Sequence, residues 1–104
     1  MALESIRRGF LAFFVLYMLN EHEEMYGYQM CQTAKTKYGR DLKYGTLYPL
    51  LGWLEEGGVV EADKRDSPRG PYRKYYRLTE KGKGIFQDQR AEIAQYFGLQ
   101  LSPG

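Results

Sequence analysis

The sequence predicts a mainly α-helical domain with one small β-hairpin, in the order helix, helix, helix, strand, strand, helix. Three observations lead to this prediction. Apolar residues recur with helical spacing through the first half of the chain, two short strand-like stretches then flank a turn rich in Ser, Pro and Gly, and a capping threonine precedes a last helical stretch. A length of 104 residues corresponds to a single domain.

The first three helices are predicted from the spacing of their apolar side chains. Residues 3–19 carry two apolar stripes, although one stripe suffices to cover a small core. Residues 27–38 form a second helix that Gly39 ends, since glycine is the common C-terminal stop signal. A third helix over residues 45–56 has leucines at i, i+3, i+4 and i+7. These are Leu47, Leu50, Leu51 and Leu54.

The second half of the chain predicts a hairpin and a fourth helix. Residues 59–65 and 72–78 are strand-like, and the turn formers between them favour a hairpin with a polar tip. Thr79 is placed to cap a helix that runs to about residue 97. Residues 99–104 are expected to form a loose tail.

Positive charge is unevenly distributed along the chain. The net charge is +2, but residues 33–45 carry +3 and residues 59–83 carry +4, while the remaining segments sum to −5. Clusters of this kind bind duplex DNA by displacing counterions from its phosphates. The alternative is a solvated hairpin whose charges only keep the protein soluble.

The order of elements favours the DNA interpretation. A helix-turn-helix followed by a basic hairpin is the arrangement of a winged helix, in which the second helix of the pair enters the major groove. Glu55 and Glu56 would repel phosphate, so the N-terminal half of the third helix should meet DNA. The candidate contacts there are Lys43, Tyr44, Thr46 and Tyr48, with Thr46 and Tyr48 reading base edges. In the hairpin, the candidate contacts to phosphate or the minor groove are Arg69, Arg73 and Lys74.

Other aromatic side chains are expected to have packing roles. Tyr26 and Tyr28 are predicted to pack at the start of the second helix, and Trp53 is predicted to pack against the wing. Tyr75 and Tyr76 lie on opposite strand faces, so one of the two should be in the core.

The first helix predicts a homodimer. With two apolar stripes, a monomer would expose one of them, which is unusual for a soluble protein. We expect the first helix to pack against the last helix of a second copy. The candidate interface residues are Phe10, Phe14, Ile85, Phe86, Ile93 and Phe97.

Several classes of protein are not supported by these residues. His22 is the sole histidine and has no serine or cysteine motif to serve, so no catalytic pair is expected. The sequence predicts neither a metal site nor a cofactor. The single cysteine, Cys31, fits a reducing cytoplasm, and the apolar run over residues 10–19 is shorter than the roughly 20 residues that span a bilayer. The rival interpretation is a winged helix used for protein–protein contact without sequence-specific DNA binding.

Four motifs carry a resemblance to a known family. Met25-Tyr26-Gly27-Tyr28 opens the second helix, and Gly45-Thr46-Leu47-Tyr48-Pro49-Leu50-Leu51 opens the third. Leu54-Glu55-Glu56-Gly57-Gly58-Val59-Val60 leads into the wing, and Arg73-Lys74-Tyr75-Tyr76-Arg77-Leu78-Thr79-Glu80-Lys81-Gly82 closes it. Over about residues 10–86, the chain resembles the phenolic-acid-decarboxylase regulator (PadR) family of winged-helix repressors.

The resemblance implies a homodimeric repressor whose paired third helices read a palindromic operator. It also implies regulation by a small aromatic or drug-like effector in some members. Accordingly, residues 1–80 are assigned to the DNA-binding domain, with residues 1–20 also in the dimer interface, and residues 81–98 to a dimerisation helix. The chain departs from the family where Lys43-Tyr44 replace the common Ser-Pro, which removes the usual cap of the third helix.

Overall fold

The computed structural model describes residues 2–99 and has the predicted mainly helical architecture. Of the predicted tail, residues 100–104 lie outside the described part of the chain. The elements are α1 (Ala2–His22), β1 (Glu24–Tyr26), α2 (Gly27–Tyr38), α3 (Tyr44–Glu56), β2 (Val60–Arg65), β3 (Arg73–Leu78) and α4 (Glu80–Phe97). No helix in residues 2–99 is long and apolar enough to cross a membrane.

The predicted helix ends are confirmed. Gly39 has a left-handed φ of 65° and its N–H donates to the Ala34 carbonyl, which ends α2. Thr79 caps α4, because its Oγ1 accepts a hydrogen bond of 3.0 Å from the N–H of Gly82. Lys43 precedes α3 without a side-chain cap, as the replacement of Ser-Pro implied.

The sheet has three strands rather than the two of the predicted hairpin. Its order is β1-β3-β2, with both pairs antiparallel. Glu23, whose φ is 65°, turns the chain from α1 into β1. Strand β1 escaped prediction because three residues are too few to show a period of two, and its pairing partner lies far away in the sequence.

The core lies between α1, the leucine side of α3, α4 and the inner face of the sheet. Its fully buried large side chains are Val15, Met18, Leu19, Met25, Met30, Leu47, Leu51, Val60 and Phe86. On β3, Tyr76 is buried and Tyr75 is partly exposed, as predicted for residues on opposite faces.

Phe86 was expected in the dimer interface, and this prediction is wrong. Its side chain is 0% exposed, and its ring stacks on that of Phe13 with 5.3 Å between the centroids. Phe86 therefore belongs to the core of its own chain.

The other predicted interface residues differ in exposure. Phe14 and Ile85 pack partly against the core, and Ile93 is also half-buried. Phe10 and Phe97 are exposed. Six of the large exposed apolar side chains in the described residues lie along the N-terminal half of α1 and at or just after the C-terminal end of α4. They are Leu3, Ile6, Phe10, Tyr96, Phe97 and Leu99.

Candidate nucleic-acid interface

The outward side of α3 is exposed because its leucines occupy the opposite side. Leu47, Leu50, Leu51 and Leu54 are all buried, as predicted. The exposed residues at the N-terminal end of the helix are Gly45, Thr46, Tyr48 and Pro49. A Cβ added at Gly45 would meet no atom within 4 Å, so this side of α3 is open to another molecule.

Thr46 and Tyr48 border two different grooves. Thr46 lines a groove between α3 and the N-terminal half of α1, together with Arg7 and Arg8. Tyr48 lines a groove on the wing side, together with Lys74. The sequence did not single out the two arginines, because only the packing of α1 against α3 brings them near Thr46.

Three tyrosines form a continuous aromatic surface across the starts of α2 and α3, which we call the tyrosine ridge. The rings of Tyr28 and Tyr44 are stacked at 4.3 Å and 8°, and those of Tyr44 and Tyr48 lie 5.7 Å apart. Tyr44 is half-buried, whereas Tyr28 and Tyr48 are 66% and 57% exposed.

The two tyrosines that were expected to pack at the start of α2 therefore differ. Tyr26 does pack, since its ring meets that of Tyr75 edge-on at 5.3 Å. Tyr28 instead projects outward, and its ring contacts Tyr44 rather than the core. The prediction that Tyr28 packs at the start of α2 is wrong. The spacing of apolar residues does not show, in the first turn of a helix, which side chains face the core.

Gly27 provides the space in which Tyr44 lies. A Cβ added at Gly27 would be 2.6 Å from Cε1 of Tyr44, which is too close for two carbon atoms. Burial raises the pKa of the Tyr44 hydroxyl, and the neighbouring Tyr28 raises this pKa further. The Tyr44 phenol is therefore protonated at neutral pH and can donate a hydrogen bond.

Lys43 lies just before α3 and its ammonium group is accessible. It forms an ion pair of 3.4 Å with Asp41, but both side chains are more than three-quarters exposed. An ion pair between such exposed groups is weak. Lys43 can therefore exchange this partner for another anion.

The three candidate cations of the wing do not form one cluster. Arg69 lies in the exposed loop between β2 and β3. Arg73 has its guanidinium 4.4 Å from the centroid of the Tyr26 ring. Lys74 lies on the opposite face of β3, because successive strand residues alternate.

Lys74 links the wing to α3. Its ammonium Nζ donates a hydrogen bond of 3.0 Å to Oε1 of Glu55. This contact raises the pKa of Lys74, because the carboxylate favours the charged ammonium. One of the predicted DNA-contacting cations is thus already paired within the chain.

The outer face of the sheet is largely neutralised by its own acids. Arg65 pairs with Glu24 of β1 and, at 2.9 Å, with Asp63. Arg77 pairs with Asp63 and, at 3.4 Å, with Glu61. The guanidinium groups of Arg77 and Arg65 lower the pKa of Asp63.

Ion pairs consequently occupy several of the cations that the sequence of the hairpin offers. In the described part of the chain, the β2–β3 hairpin keeps three cations without an acidic partner. These are Lys64, Arg69 and Arg73.

Trp53, expected against the wing, contacts α1. The guanidinium of Arg8 lies 5.6 Å from the centroid of its ring, and about half of the side chain is exposed. This contact fixes the N-terminal half of α1 beside α3.

These features define the class of the protein. A helix pair whose second helix is exposed on one side, followed by an antiparallel wing, is a winged helix-turn-helix. The model of the transcriptional regulator PadR-like family matches residues 15–88, which is more than half of the chain. The chain belongs to the PadR-like family of transcriptional regulators.

Individual relatives agree with this assignment. An uncharacterized protein of Lysinibacillus sphaericus is 34% identical over 97 residues, covering 91% of this chain and 88% of the relative. A PadR-like transcription factor from Bacteroides fragilis is 29% identical, covers 93% of this chain and 92% of its own, and superposes with a TM-score of 0.86. Bacillus subtilis PadR in complex with operator DNA shares the fold, with 23% identity, a TM-score of 0.71, and coverage of 90% of this chain and 49% of that one.

Proposed function

We propose that the protein is a homodimeric, sequence-specific DNA-binding repressor of the PadR type that acts in the cytoplasm. In this proposal α3 enters the major groove of a palindromic operator and the wing contacts phosphates or the minor groove. The observation that carries the proposal is the outward side of α3, where Thr46 and Tyr48 are exposed. Thr46 borders a groove that carries Arg7 and Arg8, and Tyr48 borders a groove in which Lys74 lies beside Glu55.

Base reading is assigned to Thr46 and Tyr48. The threonine offers a hydroxyl and a methyl group to base edges, and the tyrosine offers a hydroxyl that can donate or accept. The open face at Gly45 and Gly52, where a Cβ would meet nothing within 4 Å, lets the helix backbone approach the bases closely.

Affinity independent of sequence is assigned to cations around α3. Lys43 precedes the helix, Arg69 and Arg73 extend from the wing, and Lys74 takes part once it is shared between Glu55 and DNA. Contacts of this kind position the protein on the phosphate backbone without specifying bases.

Homodimerisation is assigned to the two exposed apolar segments, at the N-terminal half of α1 and the C-terminal end of α4. Phe10, Phe14, Ile85, Ile93 and Phe97 stay candidates for the interface, while the buried Phe86 does not. A two-fold dimer would place its α3 helices on half-sites about 34–36 Å apart, one turn of duplex DNA. Binding of a small aromatic effector stays a prediction that rests on the family resemblance alone.

The family of this chain and a solved structure of the same fold support the proposal. The family to which the chain belongs is one of transcriptional regulators, and a protein with the same fold has been solved bound to operator DNA.

Selection from a library of random-sequence duplexes, followed by fluorescence anisotropy on the enriched duplex, tests the proposal. We expect a palindromic consensus. Thr46→Ala and Tyr48→Phe should each weaken binding to the enriched duplex by about 1–3 kcal/mol, with a much smaller loss on random duplex. Arg69→Ala and Arg73→Ala serve as the contrast, since each should weaken binding to both duplexes equally and make the salt dependence shallower.

Two outcomes would contradict the proposal. If the protein bound no DNA duplex even at low salt, the alternative of a winged helix used for protein–protein contact would be favoured. Unchanged preference in Thr46→Ala and Tyr48→Phe would exclude these two side chains as the readers of bases.

A further inference from the structure

Tyr28 exposes two-thirds of its side chain although its ring is held in a fixed position. It lies at the second residue of α2, and the core does not explain its orientation. The parallel stack on Tyr44, at 4.3 Å and 8°, covers one face of each ring. Tyr28 is thus exposed at the start of α2, beside the N-terminal turns of α3 that carry Tyr44 and Tyr48.

The stack couples Tyr28 to the residues that are proposed to contact DNA. Tyr44 lies against Gly27, where there is no room for a Cβ, and against the Tyr28 ring. Tyr48 lies next to Tyr44, one helical turn further along α3. Loss of the Tyr28 ring would therefore remove a packing contact of Tyr44, and a shift of Tyr44 would in turn change the packing of Tyr48.

We propose that Tyr28 is a further DNA-contacting residue, whose hydroxyl donates a hydrogen bond to a backbone phosphate beside the groove that α3 reads, and whose ring positions Tyr44. This inference rests on the proposed function. It adds a side chain from α2 to an interface otherwise made by α3, the residue before it and the wing.

The position of Tyr28 on α2, the first helix of the helix-turn-helix pair, favours a phosphate as its partner. In a helix-turn-helix, the first helix of the pair crosses the sugar–phosphate backbone while the second occupies the groove. Phosphate oxygens accept hydrogen bonds from tyrosine hydroxyls, and such contacts fix the register of the protein on DNA.

The uncharged phenol gives this contact a distinctive signature. A lysine or arginine that binds phosphate releases a counterion, so its loss makes the salt dependence of binding shallower. A tyrosine hydroxyl carries no charge at neutral pH, so its loss weakens binding without changing the salt dependence.

The experiment compares Tyr28→Phe, Tyr28→Leu and the control Tyr17→Phe, which removes the hydroxyl of a partly exposed tyrosine in the C-terminal half of α1, a side chain that is neither a candidate DNA contact nor a candidate interface residue. Binding is measured by anisotropy over a series of salt concentrations. The probes are a duplex enriched from a random library and a random-sequence duplex of equal length.

We expect Tyr28→Phe to bind both duplexes about two- to tenfold more weakly per half-site, with an unchanged salt slope. Tyr28→Leu should in addition lose part of the preference for the enriched duplex, because Tyr44 is no longer stacked. Tyr17→Phe should bind as the wild type does. In ¹³C-tyrosine-labelled free protein, the ring resonances of Tyr44 should stay in place in Tyr28→Phe and shift in Tyr28→Leu.

Wild-type affinity of Tyr28→Phe for both duplexes would overturn the proposal while leaving the proposed function intact. A loss confined to the enriched duplex would overturn the assignment to phosphate, since it would indicate a base contact. If the wild-type protein bound neither duplex, the proposed function would fail first and the role of Tyr28 with it. Unshifted Tyr44 resonances in Tyr28→Leu would overturn the positioning role.

Discussion

At the scale of single residues, the hydroxyl of Tyr38 is buried and has no hydrogen-bond partner among the described residues. Its ring is well packed, with the rings of Phe14 and Tyr17 edge-on at 5.5 and 6.0 Å. A buried hydroxyl without a partner is destabilising, because folding removes its hydrogen bonds to water.

Tyr38→Phe should therefore increase the free energy of unfolding by about 1 kcal/mol. Urea denaturation measures the change, and Tyr72→Phe, which removes the hydroxyl of an exposed tyrosine, should leave the stability unaltered. A less stable Tyr38→Phe would show that the hydroxyl is satisfied, most simply by an ordered water.

Two glycines of the same helix make opposite predictions. A Cβ at Gly82 would lie 2.0 Å from the carbonyl oxygen of Val59, where the first turn of α4 packs against the chain entering β2. At Gly84, a Cβ would meet nothing within 4 Å. Gly82 lies in the first turn of α4 and Gly84 lies two residues further into the helix.

Gly82→Ala should destabilise the protein by about 3 kcal/mol, because backbone must move to relieve the clash. Gly84→Ala should stabilise it by about 1 kcal/mol, since alanine favours the helix. Both values come from chemical denaturation. Equal effects of the two substitutions would mean that α4 does not pack on Val59 as described.

At the scale of elements, the pairing of Lys74 with Glu55 determines how much charge the wing offers to DNA. Glu55→Gln would free the ammonium and remove a carboxylate from the groove that Tyr48 borders. We expect stronger binding to every duplex and a salt slope steeper by about 1 per half-site.

The matched control for this substitution is Glu92→Gln, an exposed position of α4. It makes the same change in net charge, so any long-range effect of charge alone appears in both variants. Should the two variants bind alike, Lys74 is not recruited by DNA and the Glu55 contact is purely structural.

The pairing pattern also explains which cations of the hairpin have no acidic partner. Alternation along β2 and β3 places Asp63 beside Arg65 and Arg77, and β1 adds Glu24 to the same face. The cations left for DNA are concentrated towards the tip of the wing. If the wing contacts DNA as proposed, we expect the contact at its end rather than at its face.

At the scale of the whole molecule, the single chain is elongated and exposes apolar side chains on α1 and α4. It measures 46 × 29 × 27 Å, and the 21 residues of α1 extend over about 32 Å. The exposed side chains of α1 and α4 are the parts of this surface that a second copy would cover.

Sedimentation at micromolar concentration should accordingly give about twice 12.1 kDa. Combining Phe10→Ser with Phe97→Ser should shift the protein towards a monomer, because both rings are exposed within one chain and neither supports its core. Tyr72→Ser, an exposed position next to the wing, is the control and should remain dimeric. A wild-type protein that sediments at 12.1 kDa would refute the homodimer.

The sequence by itself determined the features that depend on near neighbours in the chain. The leucine spacing of α3, the stop at Gly39 and the cap at Thr79 each involve residues a few positions apart, so the helices and the outward side of α3 could be read directly. For the same reason Thr46 and Tyr48 were found as exposed candidates.

The tertiary structure alone decided what depends on residues far apart in sequence. Strand β1 forms because it pairs with β3. The ammonium group of Lys74 has an acidic partner because the wing packs beside the end of α3, where Glu55 lies. Phe86 is buried because α1 covers it, and Tyr28 is exposed because its ring stacks on Tyr44 and does not enter the core. Periodicity records which side of an element is apolar, whereas the partner on that side is chosen by packing between elements.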